Sequence, residues 1–165
     1  MQVILSQEEL DQCKAAASKR SNYARSTKIK NQRVDKSKSD KDVDYIGMVG
    51  ELAVAKALGL EMDFEKVGVD YGIDFTYNNY TIDVKTRSYP GNDLVFKTHE
   101  FFKAEVAILA QFKKENCVNI IGCMSRERFE KYAKPTHYDC LSASAKYIQP
   151  IEKLIFHKKA KNEID

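Results

Sequence analysis

The sequence predicts one domain of mixed helix and strand, an α/β or α+β fold built around a single sheet. A length of 165 residues suits one domain with its own hydrophobic core. Helical patterns near the N-terminus, in the middle and late in the chain flank a hairpin and further strands. The hydrophobic fraction of 43% is typical of a globular protein.

Composition excludes several classes of protein. No apolar run approaches the roughly 18 residues of a membrane span, and the N-terminus lacks a continuous apolar signal region, so we expect a cytoplasmic protein. The cysteines are scattered, without the C-x-x-C spacing of a zinc site, and indicate neither zinc nor disulfides. They are Cys13, Cys117, Cys123 and Cys140.

The first helix is predicted over residues 6–24. Ser6 is followed three residues later by Glu9, which is the spacing of a capping box. We assign residues 1–25 to this N-terminal helix. Residues 26–44 then lose the apolar period and are rich in Ser, Asn, Lys and Asp, which predicts a mobile basic arm.

Positive charge is concentrated around this arm. Residues 14–41 have a net charge of +8, against +3 for the whole chain. Such a block either binds a polyanion through phosphate contacts or forms a solvated loop, and composition alone leaves both readings open.

The second helix is predicted over residues 46–58, with Asp44 as its N-cap and Gly59 as its C-cap. Only Glu51 and Lys56 are charged within it, so it should be buried on most sides.

Strands follow this helix, and a helix and a closing segment end the chain. The predicted strands are 64–67, 73–77, 80–86, 94–97, 105–112 and 117–124. A helix over 125–133 ends before Pro135, and the apolar tail "YIQPIEKLIF" is expected to pack on the core. We therefore divide the rest of the domain into a core, 45–125, and a C-terminal part, 126–165.

The strands 73–77 and 80–86 form a predicted hairpin. They are joined by Asn78 and Asn79, and Asn tolerates the positive φ angles of a two-residue turn. This turn places three cross-strand pairs on one apolar face: Tyr77 with Tyr80, Phe75 with Ile82, and Ile73 with Val84.

The other face of the hairpin brings two acids together. Continuing the same pairing puts Asp74 directly opposite Asp83, with Cβ atoms about 4.5 to 5.5 Å apart, and Lys85 lies two residues further along. Like charges so placed repel each other, whereas a divalent cation between them turns the repulsion into chelation.

Glu51 is a second unusual acid. Its helical neighbours at i±3 and i±4 are Gly47, Met48, Val54 and Ala55, so no base on its own helix can pair with it. Because a buried unpaired carboxylate is costly, we expect its partner to be a lysine, a metal or backbone amides elsewhere in the fold. One explanation covers all the acids if Glu51 projects onto the sheet face that carries Asp74, Asp83 and Lys85.

Glu51 in a helix, Asp74 in "GIDF", and Asp83 and Lys85 in "IDVKT" together resemble the PD-(D/E)XK nuclease superfamily, most closely its small phage and bacterial members. The resemblance is best over residues 45–87 and looser through "AEVAILAQF", "VNIIGCMSRERF" and "QPIEKL". It implies a restriction-endonuclease-like core, in which a central mixed sheet flanked by helices carries the acidic site on its hairpin.

The resemblance further implies a Mg²⁺-dependent nuclease that hydrolyses DNA, with Mn²⁺ as a substitute, in a bacterial cell or a phage-infected host. It leaves open whether cleavage is at ends or at internal bonds, as in an endonuclease, and whether RNA is also a substrate. Asp74, Asp83 and the backbone carbonyl of Val84 would bind the metal, and Glu51 would complete its shell directly or through water. Lys85 would stabilise charge on the phosphate or help to position and deprotonate the attacking water. These residues make residues 45–125 the expected catalytic core.

The basic arm gains a role from this resemblance, because it precedes the helix that carries Glu51 and is placed to close over DNA. The residues expected to contact DNA are Lys28, Lys30, Arg33, Lys36, Lys38 and Arg87. A plain surface role for Arg87 is an equal alternative. Nucleases that cut both strands of DNA are commonly homodimers, and the sequence leaves open whether this protein is one.

Three alternatives remain at this point. Asp70 in "VGVDYGIDF" is a rival for Asp74, and Ile73 stands where a proline often precedes the first acid of the motif. The chain would otherwise be a non-catalytic module that binds nucleic acid or a partner on the same fold. The third alternative is a structural protein in which Glu51 pairs with Lys85.

Overall fold

The computed structural model of the chain describes residues 1–27, 39–65, 72–88, 91–114, 116–136 and 138–156. It confirms a mixed α and β fold in which helices pack on a mixed sheet. Within these ranges, no helix combines the length and apolar character that crossing a membrane requires. The helices are α1 (Gln7–Ser26), α2 (Asp40–Leu58), α3 (Arg126–Tyr132) and α4 (Glu152–Phe156).

The strands form two sheets, so the prediction of a single sheet is wrong. They are β1 (Gln2–Ile4), β2 (Phe75–Tyr77), β3 (Tyr80–Arg87), β4 (Leu94–Phe96), β5 (Val106–Lys114), β6 (Cys117–Ser125), β7 (Lys134–Pro135) and β8 (Leu141–Ala143). The larger sheet has the order β1-β6-β5-β3-β2, and the smaller one has the order β4-β8-β7. In the larger sheet β3 and β5 run parallel, while the other neighbouring strands are antiparallel.

The two faces of β3 belong to two different cores. Ile82 and Val84 pack in a cluster with buried residues of α1 and α2. Side chains alternate along a strand, so Asp83 and Lys85 point to the opposite face, beside Ala107 and Leu109 of β5. Those two β5 residues belong to a second cluster, which includes residues of β4, β8 and α3. The acid and base of "IDVKT" therefore lie on the sheet face away from the two long helices.

The first helix is confirmed together with its capping box. The amide of Glu9 donates to Ser6 Oγ at 3.1 Å, and the amide of Ser6 donates to Glu9 Oε2 at 2.6 Å. The helix runs two residues further than predicted, to Ser26.

The second helix begins earlier than predicted. Ser39, not Asp44, is its N-cap, and the Ser39 hydroxyl accepts from the amide of Asp42 at 3.2 Å. Asp44 therefore lies inside α2, and the last residues assigned to the arm are helical. The C-cap at Gly59 is confirmed, with a φ of +67° that favours glycine.

Four of the predicted strands correspond to strands of the structure, and a fifth, 73–77, is shortened to β2. The predicted strands 80–86, 105–112 and 117–124 correspond to β3, β5 and β6, and 94–97 corresponds to β4. The predicted strand 64–67 is wrong at Phe64 and Glu65, which form a turn, and its other residues lie outside the described ranges. Strands β1, β7 and β8 were not predicted.

The C-terminal segment closes the domain as predicted. Ile151 and Leu154 are buried in the first core, and Gln149 forms an isolated bridge with Cys123 of β6. A Cβ at Gly122 would overlap the carbonyl oxygen of Gln149, so the tail approaches the sheet too closely for a larger residue. The predicted helix before Pro135 corresponds to α3, which ends at Tyr132.

Candidate active site

The hairpin turn is the one that the sequence predicts. Asn78 and Asn79 have φ angles of 49° and 66°, and they join β2 to β3. The cross-strand pairs Tyr77 with Tyr80, Thr76 with Thr81, and Phe75 with Ile82 are all confirmed.

The pairing changes immediately before Phe75. The amide of Asp74 donates to the carbonyl of Ile82 at 2.8 Å, so Asp74 and Phe75 both oppose Ile82, as in a β-bulge. The prediction that Asp74 lies directly opposite Asp83 is therefore wrong, because it assumed a regular ladder. Bulges re-aim side chains and are common beside active sites.

Asp74 is held against the backbone of β3. Its Oδ2 accepts from the amide of Val84 at 2.7 Å. In a regular antiparallel pair, this amide would instead donate to a backbone carbonyl of the neighbouring strand. In a strand, the N–H and C=O of one residue point to the same side, so the carbonyl of Val84 also faces Asp74. We refer to the side of β3 from Asp83 to Arg87 that faces away from β5 as the β3 edge.

Asp83 is nearly inaccessible to solvent. It is 2% exposed, and its Oδ1 accepts from Lys85 Nζ at 2.5 Å. The Lys85 ammonium also lies 5.0 Å from the centroid of the Phe96 ring, and the lysine side chain remains 37% exposed. Lys85 thus extends from a buried carboxylate to the surface, and it is a direct partner of Asp83.

Glu51 finds its partner on α1. Its two carboxylate oxygens accept from the two terminal nitrogens of Arg20 at 3.1 and 3.2 Å, which is the bidentate geometry that arginine favours. Glu51 is only 9% exposed, so the expectation that a buried acid needs a partner from elsewhere in the fold is confirmed, although the partner is an arginine. The alternative in which Glu51 pairs with Lys85 is wrong, because each has another partner.

Helix α2 approaches β3 closely at the residue before Glu51. A Cβ at Gly50 would overlap Oγ1 and the neighbouring carbons of Thr86. Thr86 shares the face of Ile82 and Val84, so Glu51 lies on the helix-covered side of the sheet. Glu51 therefore does not share a sheet face with Asp83 and Lys85, and the β3 edge is where the two sides meet.

The candidate metal ligands are only partly brought together. Asp74 and the Val84 carbonyl share the β3 edge, and Asp83 is the strand neighbour of Val84. No three His, Cys, Asp or Glu side chains within the described ranges lie close enough together to hold a metal ion. The inclusion of Glu51 in the metal shell stays a prediction.

Cys13 is a fully buried neighbour of the Arg20–Glu51 pair. Burial, followed by the charges of Glu51 and Glu9, raises the pKa of the Cys13 thiol to about 12. The thiol is therefore protonated at neutral pH and is an unreactive part of the core.

The DNA-binding prediction falls largely outside the described residues. Lys28, Lys30, Arg33, Lys36 and Lys38 lie there, as does Asp70, the rival of Asp74. Arg87 is described, and its Nη1 donates to the carbonyl of Asp93 at 3.0 Å, which ties together the two ends of the segment between β3 and β4. This contact favours a structural role for Arg87.

The sequence does not identify Arg20 as the partner of Glu51. The residue belongs to the basic block, but only the antiparallel packing of α1 on α2 brings it to Glu51. A second contact between the helices, from Lys56 Nζ to Glu9 Oε1 at 2.8 Å, fixes the same arrangement. The one available signal was a buried acid that required a cation.

No protein-family model matches the chain, and a search of curated proteins finds no significant match.

Removing Arg20 should destabilise the fold. We expect Arg20→Met to lower the free energy of unfolding by about 3 kcal/mol, because it leaves the buried Glu51 carboxylate without its guanidinium. The control is Lys19→Met, whose ion pair with Glu65 is exposed (48% and 80%) and should contribute less than about 1 kcal/mol. Urea unfolding at pH 7 measures both, and equal effects would contradict the assigned role of Arg20.

Proposed function

We propose that this protein is a metal-dependent nuclease of the PD-(D/E)XK type, with a restriction-endonuclease-like core, that hydrolyses phosphodiester bonds in DNA. The observation that carries the proposal is the arrangement around the β3 edge. A bulge turns Asp74 onto the backbone of Val84, and the neighbouring Asp83 is buried against a lysine that reaches the surface.

The donor set suits Mg²⁺ or Mn²⁺. Both cations prefer hard oxygen ligands. Asp83 and the Val84 carbonyl offer such oxygens at neighbouring positions of β3, and the Asp74 carboxylate is bonded to the Val84 amide from the other arm of the hairpin. Bound there, such an ion would supply neutralisation of phosphate charge and a more acidic water. The Val84 amide fixes Oδ2 of Asp74, so this carboxylate loses little freedom when it binds a ligand.

Lys85 is placed to bind the Asp83 carboxylate and a phosphate oxygen at the same time. Its ammonium is held by Asp83 at 2.5 Å while part of the side chain remains exposed. An ammonium has three donors, so Lys85 can keep Asp83 and also donate to a phosphate oxygen at the surface. In this role it stabilises the negative charge that develops on the phosphate.

Glu51 and Arg20 form the second charged group of the proposed site. The bidentate pair holds the Glu51 carboxylate in a fixed orientation. Glu51 would reach the metal shell directly or through a water. Arg20 acts through Glu51 and is therefore a positioning residue.

A plasmid cleavage assay tests the proposal. We expect the wild-type protein to cut DNA with Mg²⁺ or Mn²⁺ but not with EDTA, and we expect Asp83→Ala and Lys85→Ala to be inactive. Lys97→Ala is a matched control, because Lys97 also lies over a phenylalanine ring, 5.8 Å from the centroid of Phe101. Unchanged cleavage by both site variants would contradict the proposal, and metal-independent binding without cleavage would favour a non-catalytic binding module.

A further inference from the structure

Two tyrosines outside the candidate active site stack on each other. Tyr132, the last residue of α3, and Tyr147, in a short 3₁₀-helix, have ring centroids 4.2 Å apart and an interplanar angle of 12°. Both side chains are half-buried. The stack joins α3 to the segment that follows β8.

Three cations surround this stack. Arg128 and Lys131 lie 5.2 and 5.3 Å from the centroid of the Tyr132 ring, and Lys146 lies 4.8 Å from that of Tyr147. Arg128 Nε also donates to the carbonyl of Tyr147 at 2.7 Å, which fixes the guanidinium. We call Arg128, Lys131, Tyr132, Lys146 and Tyr147 the tyrosine patch.

The sequence of α3 places two of these cations, Arg128 and Lys131, on one side of the helix. Arg128, Lys131 and Tyr132 have the i, i+3, i+4 spacing of a single face, and Glu127, four positions before Lys131, borders that face. Within the described ranges, none of the three cations forms an ion pair with a carboxylate. The rings offset only part of their mutual repulsion, so the patch is suited to an anionic partner.

The patch is better suited to phosphates than to bases. The two rings cover each other and are flanked by cations, so a base has no clear ring face on which to stack. Lys131 and Lys146 are exposed, and their ammonium groups act as point charges. A backbone of regularly spaced phosphates matches such a group of charges.

The helix that carries part of the patch packs on the core beside the candidate active site. Phe129 of α3 packs on Phe96, with centroids 5.1 Å apart, and Phe96 lies under the Lys85 ammonium. One layer of side chains therefore links the helix that carries the patch to Asp83 and Lys85. Lys85 and the patch lie on the same side of the larger sheet.

We propose that the tyrosine patch binds the DNA backbone through Arg128, Lys131 and Lys146 and holds substrate DNA beside the candidate active site. The choice of DNA as partner rests on the proposed function. Because the contacts are to phosphates, binding at the patch is independent of base sequence.

Salt-dependent binding tests this inference without any need for cleavage. Fluorescence anisotropy with a labelled DNA duplex in EDTA would measure affinity for a protein with Lys131→Gln and Lys146→Gln. We expect weaker binding and a slope of log affinity against log salt that is shallower by about 1.8, for two lost phosphate contacts. The change should be the same for a duplex of permuted sequence.

Two further variants distinguish an effect of the patch from an effect of the net charge of the protein. Lys113→Gln with Lys153→Gln removes the same charge from exposed lysines outside the patch, and should change the slope by much less. Lys131→Arg with Lys146→Arg should restore it. Equal slopes for the patch and control variants, an unchanged affinity, or no DNA binding by the wild type would overturn the inference.

The outcome is distinguishable from failure of the proposed function. A patch effect on binding in a protein that never cleaves DNA would contradict the nuclease proposal alone. If the protein cleaves DNA, but the slope of log affinity against log salt is unchanged by Lys131→Gln with Lys146→Gln, this inference alone would be contradicted.

Discussion

Replacing Asp83 by Asn should lower the rate of Mg²⁺-dependent DNA cleavage by at least about 100-fold. Asn keeps the shape of Asp83 but removes its negative charge. The substitution therefore takes away a proposed metal ligand and the counter-charge of Lys85, whose ammonium lies 2.5 Å from Asp83 Oδ1. Initial rates of plasmid cleavage for the two proteins measure the effect.

Loss of activity must be separated from loss of folding. Asp83 is 2% exposed, and Asn can still accept from Lys85, so we expect the thermal midpoint of Asp83→Asn to stay close to that of the wild type. Asp11→Asn, an exposed change on α1, provides the activity control. A folded Asp83→Asn protein that cleaves at the wild-type rate would remove Asp83 from the mechanism.

Gly50→Ala, which adds one methyl group to the helix–sheet interface, should strongly destabilise the fold. The new Cβ would overlap Oγ1, Cγ2 and Cβ of Thr86, a β-branched residue with little rotamer freedom. We expect the free energy of unfolding to fall by about 1 to 3 kcal/mol, the usual range for overpacking. Urea unfolding gives the value.

Gly47 provides the matched control on the same helix. The nearest atom to a Cβ there is Glu51 Oε1 at 3.9 Å, an ordinary van der Waals distance. Gly47→Ala should therefore leave stability unchanged or raise it by up to about 1 kcal/mol, through the better helix propensity of alanine. Equal losses from the two substitutions would contradict the close approach of α2 to β3 at Gly50.

The parts of the fold that were predicted correctly depend on local signals. The capping box of Ser6 and Glu9 and the C-cap of Gly59 act within one turn of helix. The N-cap at Asp44 was wrong because the choice relied on where apolar residues begin, whereas Ser39 starts the helix with a polar first turn. Strand β7 has two residues, too few for any period.

The candidate site divides in the same way. The two-residue turn determined the pairing as far as Phe75, because the turn fixes the register of its neighbours. At the bulge, the Asp74 carboxylate accepts from the Val84 amide in place of a backbone carbonyl. The alternation of apolar and polar residues along the strand gives no sign of this replacement. The pairing of Glu51 with Arg20 depends on the packing of α1 on α2, because the two residues are 31 positions apart in the sequence.

Crystals soaked with Mn²⁺ would test the central claim most directly, because the anomalous signal locates the ion itself. We expect a peak at the β3 edge, within coordination distance of the carboxylates of Asp74 and Asp83 and the carbonyl of Val84, and we expect Asp83→Asn to abolish it. Soaked crystals with no peak at the β3 edge, or with a peak that persists in Asp83→Asn, would contradict the account.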